Sequence, residues 1–269
     1  MKYEEIKRFL NKLFPSYLTL KPENYGIHIN HQIRNKNINK ILLSLDLSFE
    51  TLYFAIQKKI DFIISLSGLF KRRISNINEI LSKKLKIFSK FPVSVFILNS
   101  AFLVSEGGVL DTLLDVLLLR LEKPLFLKNY KKKLVPIGKI CSPLFYPNEN
   151  NSLNLEKLLK RIKNNLNISN VLYLGSLDMK IKKMLILGDG LNNEFIFKSS
   201  NFNYDCCISM NFKNLNRILA DDLGISIIFI PRILCEYITL KKLNNILSLE
   251  FPNTEFYILD LKKYFYIYT

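Results

Sequence analysis

Histidine and cysteine, which supply most transition-metal ligands in proteins, are scarce in this chain of 269 residues, with two and four copies. The cysteines are Cys141, Cys206, Cys207 and Cys235, and no C-x-x-C spacing joins them. This pattern excludes the common structural zinc and dithiol motifs. If Cys206 and Cys207 lie in a strand, they point to opposite faces. We expect four reduced, mostly buried thiols.

Long apolar runs are also missing. Charged residues interrupt every hydrophobic segment, and even 109–121, VLDTLLDVLLLRL, contains two aspartates and an arginine. A membrane-spanning helix needs about 20 mostly apolar residues. The first segment, MKYEEIKRFLNKLF, is amphipathic and carries Glu4 and Glu5, unlike a secretory signal. We therefore expect a cytoplasmic protein without a membrane partner.

Tryptophan is absent and acidic residues are few, since 39 Lys and Arg stand against 23 Asp and Glu, for a net charge of +16. Lysine is scattered along the whole chain beside much Asn, Ile, Phe and Tyr, which indicates the compositional bias of an AT-rich genome. The alternative is a surface for nucleic acid or another polyanion in the densest basic segment, 70–90. Its candidate contacts are Lys71, Arg72, Arg73, Lys83 and Lys84.

Common catalytic signatures are missing as well. The chain has no G-x-x-x-x-G-K-[ST] phosphate loop, no G-x-S-x-G nucleophile turn and no H-E-x-x-H. His28 and His31 have a spacing that suits metal ligands on a helix, but the alternating Ile27 and Ile29 favour a strand, where the two imidazoles point apart. This favours surface or packing histidines. The glycines of LGDGLNNE, 187–194, favour a tight turn over an anion site.

The sequence does contain an alternation of strand-like and helical segments. With 49% hydrophobic residues and a mean hydropathy of +0.12, the chain can bury one large core or two smaller ones. The alternation predicts α/β units with largely parallel pairing and no internal repeat. In the first half, a helix is predicted up to Pro15, strands at 40–48, 61–67 and 93–98, and helices at 49–59, 76–90 and 108–121.

The pattern changes near Lys123. Four of the nine prolines and an asparagine run lie in 123–151, which is typical of a domain junction. An amphipathic helix follows, with one apolar face formed by Leu155, Leu158, Leu159 and Ile162. The remaining predicted elements are strands in NVLYLG, KKMLILGDG, YDCCISM, ISIIFI and EFYIL, and a helix at 232–248.

The order of several short motifs resembles the Nif-three-like family, whose members are often called GTP cyclohydrolase I type II homologues. ENYGIHI, 23–29, looks like the family's D-N-x-G-L segment, and Leu45 and Asp46 fall on its L-D. EGGVLD, 106–111, is similar to G-G-V-N-D, and PIGKICSPLF, 136–145, to a G-R-x-G turn. Each motif is weak alone, but they are collinear over about 250 residues.

This resemblance implies an α/β, Nif-three-like fold of two α/β domains. The amino- and carboxyl-terminal segments combine into a main domain, 1–125 plus 226–269, and 126–225 form a central inserted domain. It also implies a toroidal homohexamer, and the high apolar content is compatible with large subunit contacts.

Members of the family are expected to hold two divalent metal ions on His-His-Pro, H-T-x-L-D and G-H-x-x-x-E motifs. In this chain nearly all the matched ligands are replaced, and only the glutamate of the last motif keeps a ligand type. Because leucine offers no donor atom, we expect neither metal nor another cofactor to bind. The matched positions are Leu66, Ser67, Asn99, Leu103, Arg232 and Glu236.

Arg232 and Glu236 stand four residues apart in a predicted helix, where their side chains share one face. The guanidinium could occupy the space of a metal and neutralise the carboxylate. Alternatively the two form an ordinary exposed pair worth about 0.3 to 0.5 kcal/mol. The sequence leaves both interpretations open.

Three hypotheses for function follow, and none assigns a catalytic residue. The first is a metal-free, degenerate family member that acts as an assembly or interaction protein. The second is a metal-dependent, cyclohydrolase-like hydrolase whose ligands have moved to His28, Asp46, Asp111 or Glu236, although the two aspartates also suit turn and helix-start roles. The third is a basic ring that binds nucleic acid or another polyanion. No phosphate- or purine-binding pattern supports GTP chemistry.

Overall fold

The computed structural model describes residues 1–30, 37–70, 77–145, 152–188, 203–211, 218 and 222–259. The chain divides into two compact units, each with a sheet of its own. The first unit consists of Met1–Phe102 with Glu236–Thr269, and the second of Leu103–Cys235.

Three of the α-helices in these ranges begin at a serine or asparagine that caps them. Ser48, Asn78 and Asn154 each accept a hydrogen bond from the backbone N–H three residues further on, which caps the helix that follows. The cap at Ser48 confirms the sequence prediction. The helices are α1 (Tyr3–Leu13), α2 (Phe49–Lys58), α3 (Glu79–Lys90), α4 (Ala101–Val104), α5 (Val109–Val116), α6 (Leu155–Leu166) and α7 (Arg232–Glu250).

The strands include all those predicted from the sequence, together with β5 and β6, which were not predicted. They are β1 (Gly26–Ile29), β2 (Lys40–Ser44), β3 (Phe62–Ser65), β4 (Ser94–Ile97), β5 (Leu119–Lys128), β6 (Leu134–Pro143), β7 (Leu172–Leu174), β8 (Met184–Leu187), β9 (Cys206–Ser209), β10 (Ser226–Phe229) and β11 (Glu255–Ile258). Four of them, β3, β4, β8 and β9, are buried along their whole length, as apolar runs without alternation indicate.

The first unit contains a five-stranded sheet in the order β1-β4-β3-β2-β11. All neighbours are parallel except β1, which runs antiparallel to β4, so the predicted parallel pairing is confirmed here. The second unit contains a six-stranded sheet in the order β5-β6-β8-β9-β10-β7. Only β8, β9 and β10 are mutually parallel in it.

The three parallel strands at the centre of each sheet are built alike. Asp61, just before β3, accepts two backbone N–H groups at the start of β2, and Asp205, just before β9, does the same at the start of β8. Ser65 and Ser209 end these strands, and each hydroxyl donates to the carbonyl two residues further on. The two units thus share a local arrangement at DFIISLS and DCCISMN, a similarity that sequence reasoning did not note.

The helix predicted for 108–121 is wrong at its end, because α5 stops at Val116. Leu118 adopts a positive φ of 55°, which a helix cannot contain, and β5 begins at the next residue. The proline-rich stretch after Lys123 contains most of an antiparallel hairpin of β5 and β6. Pro124 fits there because β5 is an edge strand, where a missing N–H leaves no partner unpaired.

The four cysteines are all free and buried, and their burial was predicted from the sequence. Burial raises the pKa of Cys141 and Cys207 to about 12. Since the thiolate is the nucleophile and the metal ligand, these protonated thiols are poor candidates for either role. In the part of the chain that the structure describes, no helix combines the length and apolarity needed to cross a membrane.

Candidate functional site

The carboxyl ends of β2, β3 and β4 form one edge of the first sheet, which we call the carboxyl edge. Open α/β sheets place ligands at such edges. The backbone N–H of Leu66 donates to Ser44 at 3.1 Å, and the N–H of Asn99 donates to Leu66 at 3.1 Å. Two of the six matched positions, Leu66 and Asn99, are therefore neighbours, while the carbonyl of Ser67 accepts the Ser65 hydroxyl at 2.9 Å.

Asn99 is held in an uncommon conformation. Its φ is +49°, which asparagine tolerates better than most residues. Its side-chain amide donates to the carbonyl of Asn24, and Nε2 of His28 lies 3.0 Å from the same oxygen. Because a carbonyl only accepts, Nε2 carries the proton. Burial lowers the pKa of His28, and the bond to Asn24 partly opposes that shift.

The imidazole of His28 occupies the space beside Gly68. A Cβ at position 68 would lie 2.8 Å from Cε1 and 2.9 Å from Nδ1 of that ring, closer than carbon and ring atoms approach in proteins. By resemblance, Gly68 stands where the family has the proline of its His-His-Pro motif. His28 is thus a packing histidine, as the strand pattern favoured, and His31 lies outside the described residues.

Substituting Gly68→Ala should lower the free energy of unfolding by about 1 to 3 kcal/mol, because the His28 ring must leave its site or strain the backbone. In a His28→Ala background the same substitution should cost less than about 0.5 kcal/mol. Urea unfolding of the wild type, both single variants and the double variant measures this coupling. Equal costs in both backgrounds would show that the ring does not fill this space.

A second network joins the motif around Glu23 to the segment after β4. The Glu23 carboxylate accepts the backbone N–H of Ser100 at 3.1 Å and also its hydroxyl. The Ser100 oxygen accepts the N–H of Leu20 at 2.8 Å. Sequence reasoning missed this contact, and no local spacing could reveal it, since 77 residues separate the partners. Glu23 is consequently engaged in holding two segments together.

Leu103 lies in the second unit, at the position matched to the family's bridging aspartate. It is 1% exposed. A Cβ at position 188 would lie 3.1 Å from Cδ2 of Leu103 and 3.2 Å from the carbonyl oxygen of Ile137, so Gly188 lets the leucine pack closely against the backbone. The N–H of Gly188 donates to Ile137 at 3.0 Å. The rest of the LGDG turn lies outside the described residues.

Asp111, in the first turn of α5, is held by two local partners. One carboxylate oxygen pairs with the ammonium of Lys139 on β6, and the other accepts the N–H of Gly107 at 2.9 Å. The Lys139 side chain is 7% exposed. Gly107 has a φ of +70°, so the turn before α5 needs glycine there. Sequence reasoning missed Lys139, whose signal is a lone cation in the apolar strand IGKICS.

Arg232 and Glu236 occupy the first and fifth positions of α7, and both are partly buried. Each has interaction partners. The division between the two units falls just before Glu236. The convergence of all six matched positions on one point stays a prediction of the resemblance, as does the exchange of a metal for the guanidinium.

The donor set at the matched positions does not fit two divalent cations. Such a site needs several deprotonated nitrogen or oxygen donors, whereas Leu66 and Leu103 supply none and Asn99 offers only a neutral amide oxygen. Across the described ranges, no three His, Cys, Asp or Glu residues lie together in a way that could hold a metal. Of the relocated candidates, Asp46 accepts the N–H of Ser48 at 2.9 Å, a turn role.

Only two of the five candidate polyanion contacts lie among the residues that the structure describes. Lys71, Arg72 and Arg73 fall outside the described residues. On α3, the ammonium of Lys83 lies 2.6 Å from Glu79, and that of Lys84 lies 5.4 Å from the centre of the Phe49 ring. Binding of nucleic acid or another polyanion through this segment stays a prediction.

Comparisons with known proteins give a consistent result. The sequence profile described as Duf34/NIF3 (NGG1p interacting factor 3) matches residues 1–264. A GTP cyclohydrolase 1 type 2 homolog of Methanocaldococcus jannaschii is 26% identical over 248 residues, 92% of this chain and 95% of that protein. The solved structure of a Bacillus cereus protein related to NIF3 has 15% identity and a TM-score of 0.79, and the match covers 99% of this chain and 98% of that one. Reduced HcgD from Methanocaldococcus jannaschii has 24% identity and a TM-score of 0.80, with 97% and 98% covered. These structures support the fold alone.

Proposed function

Since the chain belongs to the Duf34/NIF3 family, we propose that it is a divergent member without the two-cation site, acting as a cytoplasmic, oligomeric assembly or interaction protein. The observation that carries this proposal is the burial of Leu103 against Gly188. At that position the resemblance expects a carboxylate that bridges two metals. A leucine packed to the backbone of a glycine leaves neither a donor nor space for a hydrated cation.

The carboxyl edge of the first unit supports the same proposal. Several of its polar groups satisfy one another: Asn99 and His28 share the carbonyl of Asn24, and the Glu23 carboxylate accepts both the N–H and the hydroxyl of Ser100. Among the described residues, the buried hydroxyl of Ser44 at the end of β2 has no hydrogen-bond partner. Polar groups that are paired in this way can bind a ligand only by giving up those hydrogen bonds. The pairing of Asn99, His28 and Glu23 therefore favours a structural role for these three side chains.

The hydrolase with relocated ligands is less well supported. Asp46 accepts the backbone N–H of Ser48, and both oxygens of Asp111 are engaged by Lys139 and Gly107. A cation at Asp111 would have to displace a buried ammonium that already neutralises the carboxylate. These contacts favour structural roles for the two aspartates.

Assembly into a homo-oligomer, a toroidal hexamer by resemblance, is supported by the exposed edge of the second sheet. Strand β7 ends that sheet, and its Leu172 and Tyr173 are exposed, as is Leu177 just beyond it. Apolar side chains on an open edge strand are usually covered by a partner. Light scattering measured during gel filtration should give a molecular mass six times that of one chain.

Calorimetric titration of chelator-treated protein with Zn²⁺ and with Mn²⁺ tests the proposed loss of the metal site. We expect no saturable binding of two ions per subunit, and the same heat for the wild type and Glu236→Ala, because one carboxylate cannot hold two cations. A two-site isotherm that Glu236→Ala abolishes would instead establish a retained metal centre. A parallel titration of a relative with all the family's ligands provides the positive control.

A further inference from the structure

The end of the β5–β6 hairpin, residues 126–134, combines exposed apolar side chains with lysines, and we call it the hairpin tip. Phe126, Leu127 and Leu134 are 52%, 48% and 60% exposed. Strand β5 is the edge of its sheet, so no neighbouring strand covers this side. Lys128 pairs directly with Leu134 in the ladder, which places a cation beside an apolar side chain.

The loop of the hairpin tip is well fixed by hydrogen bonds. The side-chain oxygen of Asn129 accepts the N–H groups of Lys131 and Lys133 at 2.9 and 3.0 Å. The backbone of Asn129 exchanges two further bonds of 2.9 Å with Lys132 and Lys133. Lys132 takes a φ of +58°. The lysines are consequently presented from a preorganised turn, which reduces the entropy lost on binding.

The cations of the hairpin tip have no acidic partner among the residues that the structure describes. The ion pairs of the described residues involve lysines outside the hairpin tip. Within the tip, the ammonium of Lys131 lies 5.3 Å from the centre of the Tyr130 ring. Four positive charges therefore face solvent within six residues, beside the three apolar side chains. The cations are Lys128, Lys131, Lys132 and Lys133.

We propose that the hairpin tip docks the protein reversibly on an anionic lipid surface. The lysines match the charge of the headgroups, and each contributes about a fivefold gain in partitioning. The apolar side chains match the boundary between headgroups and acyl chains. Nucleic acid carries the same negative charge, but it offers no apolar environment in which Leu127 and Leu134 could be buried. These two leucines are about as exposed as Phe126 and Tyr130.

This inference is independent of the proposed loss of the metal site, and it departs from the expectation of no membrane partner. That expectation rested on the lack of a spanning segment. Docking through a hairpin needs none, because only side chains have to enter the interface, while the unpaired backbone groups of the edge strand β5 can stay hydrated at the level of the headgroups.

Sedimentation of the full chain with vesicles of phosphatidylcholine, alone or mixed with phosphatidylglycerol, tests the proposal. Binding is expected only with phosphatidylglycerol. Reversing the charges of Lys131, Lys132 and Lys133 to glutamate should weaken it at least about 100-fold. The matched control reverses Lys83, Lys84 and Lys86 on α3 and should change binding less than about fivefold. Far-UV circular dichroism checks that each variant is folded.

A second variant, Phe126→Ser with Leu134→Ser, keeps every charge and removes apolar surface. Its binding should fall at least about tenfold and become steeply dependent on salt. The proposal is overturned if the wild type does not bind, if it binds neutral vesicles equally, or if the α3 control loses as much as the tip variant. It is also overturned if the serine variant binds like the wild type, or if single-stranded DNA displaces the vesicles, since either result indicates a site for polyanions in general.

Discussion

Replacing Leu103 by aspartate is expected to lower the free energy of unfolding by at least about 4 kcal/mol. The leucine is 1% exposed and packs on Gly188. An unpaired carboxylate in that space must either lose its hydration or bind a proton, and the apolar contact is lost as well. Because the folded state favours the neutral acid, the loss should grow as the pH rises above the ordinary pKa of aspartate, about 3.9.

Urea unfolding followed by circular dichroism at pH 5 and pH 8 measures this effect. Leu103→Ala provides the matched control for the cavity alone, with an expected cost of about 2 to 5 kcal/mol that does not depend on pH. Adding Zn²⁺ or Mn²⁺ should not restore the stability of the aspartate variant. If these ions did restore it, the position would still belong to a working metal centre.

Removing the carboxylate of Asp111 by Asp111→Ala should lower the free energy of unfolding by about 3 to 5 kcal/mol, because it leaves the ammonium of Lys139 buried without a counter-charge. The Lys139 side chain is only 7% exposed, so its ammonium is largely shielded from bulk water. The variant also frees the N–H of Gly107 at the start of α5. Thermal and urea unfolding both report the loss.

The controls for this pair use a nearby exposed carboxylate and the same partner. Glu106→Gln, at an exposed position just before α5, should cost less than about 0.5 kcal/mol. Lys139→Met combined with Asp111→Leu removes both charges and should be much less destabilising than Asp111→Ala alone. If Asp111→Ala were as mild as Glu106→Gln, the ion pair would contribute little to holding β6 against the start of α5.

Much of the fold could be predicted from local patterns. The apolar faces of α1 and α6 follow helical spacing, and the motif order that resembled the Nif-three-like family is confirmed by the match over 1–264. The end of α5 could not be predicted, because the leucines after Val116 suit a helix and a strand equally, and the choice is made by pairing with β6. The similarity between DFIISLS, which begins at Asp61, and DCCISMN, which begins at Asp205, was not recognised because the two segments have few identical residues.

The site was predictable where it depended on motif positions and not where it depended on distant contacts. The resemblance placed Leu66 and Asn99 at the ends of adjacent strands, and the structure joins them by a hydrogen bond. The contact of His28 with Gly68 and the pair of Asp111 with Lys139 link segments 28 or more residues apart. Their partners are chosen by the tertiary fold, which no periodicity or local spacing encodes.

The central claim is that this family member no longer holds two cations, and the metal content of the purified protein tests it most directly. Protein should be prepared without chelators from cells grown with added zinc, iron and manganese, and analysed by elemental mass spectrometry against its subunit concentration. The account predicts far less than one equivalent of any transition metal per subunit. Two equivalents that survive gel filtration would contradict it.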